Sequence, residues 1–135
     1  MYKNILLPVV FDNEEGTEKA LNVARQFAEP STKFTVIHVI EELPGYVTGR
    51  LSDDVLAKRS DGLQESLDTI AAKLNGANAK LVSGHSGQTI VHFADANDID
   101  CIILSSHTPN FADHFIGSTA NRVVHVAKCA VHVIR

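Results

Sequence analysis

Hydrophobic and polar positions along this chain follow two alternating periods. Five short apolar runs stand out, Ile5 to Val10, Phe34 to Ile40, Ala79 to Val82, Cys101 to Leu104 and Ala130 to Ile134. Three are nearly continuous and β-branched, as expected of parallel strands covered on both faces. The run at Ala79 is the weakest and the last alternates around His132, so both are expected nearer the sheet edges. Between the runs the spacing lengthens to that of a helix. Ala20, Ala24 and Phe27, broadened by Leu21 and Ala28, make one stripe. Leu63, Leu67, Ile70 and Leu74 make a second, ending near Gly76. Ile90, Phe93, Ala94 and Asn97 mark a short third; Ala120, Val123, Val124 and Ala127 mark a last, opening just after Gly117. Asp12 with Glu15 has capping-box spacing, with a carboxylate in place of the hydroxyl, and predicts the cap of the first helix.

The order β-α-β-α-β-α-β-α-β predicts an open, doubly wound parallel sheet with right-handed crossovers and helices on both faces. No repeat or linker divides the chain, so residues 1–135 are expected to form a single α/β domain. One stretch departs from the pattern: residues 41 to 52 hold a Pro, two Gly and a Tyr between the second strand and the second helix. A segment of that length is expected to be a lid, a binding loop or a mobile connection.

Composition narrows the possible partners. With 135 residues, 44% hydrophobic and 21% charged, the chain is long enough for a substantial core. Its net charge of −4 argues against a nucleic-acid partner, which usually needs a basic face. No apolar run approaches the roughly 20 residues of a membrane span, and the N-terminus has no signal-peptide core. No membrane partner is expected, and a cytoplasmic location is the default. Cys101 and Cys129 lie in apolar runs without ligand spacing and are expected to be buried free thiols.

Chemistry is expected at the carboxyl ends of the strands, beside the switch point of the sheet. The segment from Ser105 to Ser118 is the most informative there. It leaves a strand end through Ser105, Ser106 and His107 and reaches Gly117, Ser118 and Thr119 at a helix start. Free N–H groups, the positive end of the helix dipole and two hydroxyls would suit an anion. Ser118 could equally be a simple N-cap and Gly117 a turn residue. No Gly-x-x-x-x-Gly-Lys-[Ser/Thr] and no GxGxxG after a strand occurs, so neither a P-loop NTPase nor a conventional dinucleotide enzyme is supported.

The seven histidines include no His-x-x-x-His pair, and no metal site is expected. His38 and His132 read as structural or interface residues. His107 could donate to a phosphate or make a local hydrogen bond. Ser106 beside His107 is too local for a triad, and Gly84-His85-Ser86-Gly87 is one residue short of a nucleophile elbow, so no catalytic residue is assigned. Glu41-Glu42 and Asp53-Asp54 read as solvated surface. Arg122 could reach a phosphate or lie exposed with its aliphatic stem on the surface.

Several of these segments together resemble the universal stress protein family. They are Lys3-Asn4-Ile5-Leu6-Leu7-Pro8, Ile37-His38-Val39-Ile40, Gly84-x5-Ile90, Ser106-His107, Gly117-Ser118, and Ala127 to Arg135. They span the whole chain in order and are most similar to a small bacterial member of type F/G. The resemblance implies a five-stranded parallel sheet of order 3-2-1-4-5, related to adenine-nucleotide alpha hydrolases and Rossmann-like, and a homodimer through the last strand. It also implies a stress-response module that binds ATP, ADP or AMP, with Mg²⁺ accompanying ATP, and that lacks efficient catalysis. Carried over by position, Pro8, Val9 and Val10 lie by the adenosine, Val39 meets the adenine and Leu104 lies beside the nucleotide. Ser105, Ser106, His107, Gly117, Ser118 and Thr119 form the phosphate loop. Val10 stands where the family usually has Asp, and Ser105 and Thr108 replace loop glycines. These departures leave open a nucleotide-free dimer acting through protein partners. A third reading, an adenylating or hydrolytic enzyme in the same pocket, would need Ser-Gly-Gly-x-Asp-Ser where Val9 to Asn13 stand.

Overall fold

The computed structural model describes residues 1–41, 45–106 and 116–135, with the backbone alone at Thr48. The strands are β1 (Asn4–Pro8), β2 (Lys33–Ile40), β3 (Asn78–Ser83), β4 (Cys101–Ser105) and β5 (Ala130–Ile134). The helices are α1 (Glu14–Phe27), α2 (Gly45–Thr48), α3 (Asp53–Ala71), α4 (Ser86–Ala96) and α5 (Ser118–Val126). All strand pairs are parallel and the order is β3-β2-β1-β4-β5, with the two weaker apolar runs at the edges as expected.

The near-continuous apolar runs have a direct cause. Ile5, Leu7 and Ile103 face a core layer under α1 and α3, with Leu21, Ala24, Leu67 and Leu74 above them. Leu6, Ile37, Ile102 and Leu104 face the opposite layer under α4 and α5, with Ile90, Val91, Ala94 and Val123. Both faces are covered, so strict alternation with polar residues is lost.

One local expectation is corrected and one segment gains detail. The cap of α1 is Asn13, not Asp12: Asn13 Oδ1 accepts from the Gly16 N–H at 3.0 Å, while Asp12 is exposed. The segment 41 to 52 includes one short helical turn, α2, and closes on Ser52, whose hydroxyl caps α3 by accepting from the Val55 N–H at 3.2 Å. Residues 42–44 of that segment lie outside the described residues.

The two ends of the sheet differ. At the amino end, Asp100 accepts from the backbone N–H groups of Lys3 at 2.8 Å and Asn4 at 3.1 Å, and its own N–H donates to the Asn4 carbonyl at 3.0 Å. The Asn4 amide donates to the carbonyl of Asp98, which holds the turn after α4 at φ 54°. At the carboxyl end the central strands separate. Paired residues join β1 to β2 from Asn4 through Pro8, but join β1 to β4 only at Ile5–Cys101 and Leu6–Ile102.

Candidate functional site

The separation of β1 from β4 opens a cleft of about 740 Å³ at the switch point. That volume lies within the range of about 300–1,000 Å³ typical of small-molecule sites. Val9, Ile37, Val39, Leu63, Ile90 and Leu104 supply its apolar lining. Pro8, Val10, Ser105, Ser106, Gly117, Ser118 and Thr119 line it as well. The described residues expected at the site from sequence are therefore brought together. His107 lies outside the described residues.

The polar wall is built by two successive hydroxyls, Ser105 at the end of β4 and Ser106 just after it. Ser105 Oγ accepts from Asn13 Nδ2 at 3.3 Å, so Asn13 caps α1 with its oxygen and ties α1 to β4 with its nitrogen. This seam needs the glycine at 16: a Cβ there would come within 2.8 Å of Asn13 Cγ and closer still to Asn13 Nδ2 and Ser105 Oγ. Ser106 Oγ accepts from the Gly117 N–H at 2.8 Å. The N–H of Gly117, expected to face an anion, is thus already engaged. Gly117 itself is the N-cap residue of α5, and no side chain caps it, which corrects the reading of Ser118 as the cap. Ser118, Thr119 and Ala120 open α5, where N–H groups lack intrahelical acceptors.

A second polar chain crosses the rim. Ser86 Oγ donates to Glu41 Oε1 at 3.3 Å and lies 3.2 Å from Thr119 Oγ1. Since Ser86 gives its proton to the carboxylate, Thr119 is the donor to Ser86. Glu41 is exposed yet bonded across the cleft, so the reading of it as plain solvated surface is incomplete. A smaller depression of about 280 Å³ adjoins this rim, lined by His85, Gln88 and Arg122 among others. Arg122 is exposed and its stem packs against Gly87, where an added Cβ would lie 2.8 Å from Arg122 Cβ and Cγ.

On the β2 side, His38 Nδ1 lies 2.9 Å from the Val9 carbonyl oxygen and Phe11 stacks on the imidazole at 4.3 Å. Arg59 reaches the same cleft from α3. Val10 is 46% exposed, with no hydrogen-bonding group to offer. Away from the cleft, His132 packs edge-on against Phe27, as a structural residue would. Cys101 is buried and Cys129 half-buried, both free. Among the described residues, no group of three or more His, Cys, Asp or Glu could hold a metal ion.

A family model described as "Universal stress protein family" matches residues 1–135. The chain belongs to the universal stress protein family. It is 28% identical to Universal stress protein G of Salmonella typhimurium over 148 residues, covering 100% of both chains. The solved structure of hypothetical protein MJ0577 superposes with a TM-score of 0.82 at 26% identity, covering 99% of this chain and 96% of that one. A universal stress protein from Archaeoglobus fulgidus, solved in complex with dAMP, has the same fold at TM-score 0.69 and 22% identity, over 99% and 98% of the two chains. Other structures of this fold hold AMP, in an Arabidopsis thaliana protein, and cAMP. The five-stranded order seen here is that of the universal stress protein fold.

Sequence reasoning missed four participants in this cleft. Asn13 was hidden behind Asp12, which has the better-known capping spacing. Ser86 gave a signal only as a polar residue at a helix start opposite Gly117. His38 sits in an apolar run and reads as a core residue until the β1–β2 register places it beside Val9. Arg59 lies on α3 one turn before Leu63, the first residue of the apolar stripe, and carries no signal of its own.

Proposed function

We propose that this universal stress protein binds an adenine nucleotide in the switch-point cleft and acts as a regulatory stress-response module without efficient catalysis. The observation that carries the reading is the division of one cleft into two environments. Its β2 side is apolar and aromatic, suited to a base, and its β4 side ends on the start of α5, suited to phosphate. In this reading Pro8, Val9, Val10 and Val39 border the adenosine and Leu104 packs beside it. Ser105, Ser106, His107, Gly117, Ser118 and Thr119 surround the phosphate. With ATP, Mg²⁺ would take oxygens from the phosphates and water, with Asp12 and Glu41 the cleft carboxylates able to complete its shell. We assign no catalytic residue.

A second reading keeps the fold and gives up the nucleotide. It is favoured by the internal use of Ser105 Oγ by Asn13 and of the Gly117 N–H by Ser106, and by the apolar Val10. Function would then rest on protein partners. The test is direct: protein purified without added nucleotide is denatured and the supernatant resolved by ion exchange, alongside thermal shifts with ATP, ADP and AMP. Released nucleotide, or stabilisation of about 2.7 kcal/mol at a hundredfold excess over Kd, supports binding. An empty protein with no shift leaves the second reading. A Gly117→Val variant should fold normally and lose the shift.

We also propose a cytoplasmic homodimer through β5. That strand pairs only with β4 among the described residues, and its outer edge carries unpaired backbone groups. Light scattering should give twice the chain mass. Among the described residues no helix is long and apolar enough to cross a membrane.

A further inference from the structure

Among the described residues β5 pairs with β4 alone, and one bond fixes which way its backbone groups point. The Ser106 N–H donates to the Ile134 carbonyl at 2.8 Å, so that carbonyl turns toward β4. Directions alternate along a strand, so Ala130, His132 and Ile134 turn their N–H and C=O groups to β4, while Val131 and Val133 turn theirs outward. The two edges of the sheet are guarded differently. β3 carries exposed Asn78 and Lys80, whereas β5 is apolar except for His132. The helix α5, packed on β5, adds exposed Val124 and Val126. His132 itself is exposed, meets Phe27 edge-on at 5.4 Å, and bonds no described residue through either ring nitrogen.

We propose that a second copy pairs antiparallel with β5 in the register centred on His132, so that the two imidazoles face each other and mild acid parts the subunits. The proposal rests on the β5 homodimer put forward above and adds its register and its response to protons. A two-fold axis beside His132, the midpoint of Ala130–Ile134, is the one placement that uses every outward group of the strand. Val131 then meets Val133 of the partner subunit, and Val133 meets Val131 of the partner subunit, each pair exchanging two hydrogen bonds. Between them His132 and His132 of the partner subunit form a non-hydrogen-bonded pair, with Cα atoms about 4.5 Å apart and side chains on one face. Two such rings can share one proton; a second proton sets like charges directly opposite, which destabilises the pairing. Imidazole is the side chain that changes charge between pH 5 and 8.

The neighbouring ionisable groups supply no second switch on this face. From α1, Phe27 meets the ring, with the Tyr2 phenol beyond it. Glu15 pairs with Lys19 and Glu18 with Lys73, Arg25 bonds Asn22 and the Lys73 carbonyl, and Glu14 stands at the far end of the helix. From β4, Ile103 lies opposite His132, with the Cys101 thiol in the same layer. Arg135 and Lys128 flank the ends of β5, and Lys128 lies 3.8 Å from Asp95. On the other face, α5 carries Arg122 and His125, whose ring meets the Asn121 carbonyl. Apart from His125, side chains of these types keep their charge between pH 5.5 and 7.5.

Sedimentation equilibrium of the intact protein from pH 7.5 to pH 5.5 tests this. The dimer dissociation constant is expected to rise at least about tenfold, with the circular dichroism spectrum unchanged. In His132→Leu, which keeps an apolar side chain against Phe27, the constant should stay within about twofold across that range. Oxidation of single variants reads the register independently. His132→Cys should form a disulfide between subunits, because facing Cα atoms about 4.5 Å apart lie within bridging range, whereas Val133→Cys and the wild type should not. A constant that is flat with pH, an acid response that survives in His132→Leu, or cross-linking by Val133→Cys in place of His132→Cys would overturn the proposal while leaving a β5 dimer intact. Loss of the dichroism signal together with the dimer at pH 5.5 would overturn it as well. A monomer at pH 7.5 removes the homodimer reading, and the proposal falls with it.

Discussion

Gly16→Ala places a methyl group in the seam where α1 meets β4. The new Cβ lies 2.8 Å from Asn13 Cγ and nearer still to Asn13 Nδ2 and Ser105 Oγ, so Asn13 must swing away. Displacement removes the cap on the Gly16 N–H, a loss of about 1 kcal/mol. It also breaks the bond from Asn13 to Ser105, about 1 kcal/mol more. Alanine in a helix offsets up to about 1 kcal/mol relative to glycine. The net cost is therefore about 1 kcal/mol if Asn13 reaches solvent freely, rising to about 3 kcal/mol if the crowding persists. Urea denaturation with an unchanged m value reads this as a lower midpoint. The decisive measurement is the double variant. With Asn13→Ala already present, the contacts with the Asn13 amide are gone and the Ser105 side chain can turn aside, so Gly16→Ala should cost little or even stabilise. A coupling of about 1 kcal/mol or more is expected. A Gly16→Ala protein as stable as the wild type, or strictly additive costs, would refute the reasoning.

Three further outcomes follow from the same structure. Asp100→Ala removes the acceptor for the Lys3 and Asn4 N–H groups and should lower stability by about 1–3 kcal/mol in urea unfolding, with ligand binding retained. Burial, reinforced by Cys129 and Asp100, lifts the Cys101 thiol from 9.0 to about 11. The unfolded thiol then ionises at a lower pH than the folded one, so this group's contribution is intact below pH 9 and declines as pH rises towards 11; Cys101→Ala should flatten that slope relative to wild type in paired urea titrations. Ser86→Ala breaks the link from Thr119 to Glu41 and should weaken AMP binding by about threefold to tenfold, with an unfolding free energy within about 0.5 kcal/mol of wild type. Unchanged affinity would place Ser86 outside the site.

The strands were legible because burial on both faces left runs such as Ile102-Ile103-Leu104 with almost no competing signal. Their ends were less so: β1 stops at Pro8 while its apolar run continues to Val10, because Val10 has turned out into the cleft. The α1 cap was misplaced by one residue because Asp12 and Asn13 are both good cap formers. Only the approach of Ser105, ninety-two positions from Asn13, decides between them. The phosphate end of the site could be anticipated because a Gly-Ser-Thr at a helix start is a local pattern. The base end could not, since His38, Phe11 and Arg59 meet through strand register and the placement of α3, which local spacing does not encode.

The stapling of β1 to β4 at Asp100 has a consequence for how this fold can change. Register between the two central strands is settled at the amino end, by Asp100 and the pairs Ile5–Cys101 and Leu6–Ile102. Beyond Leu6 the strands no longer depend on each other for alignment. Residues such as Val10, Ser105 and Ser106 can therefore be exchanged without the sheet slipping out of step. Folding instructions and ligand choice are written at opposite ends of the same strands, so a lineage can revise the second while leaving the first untouched.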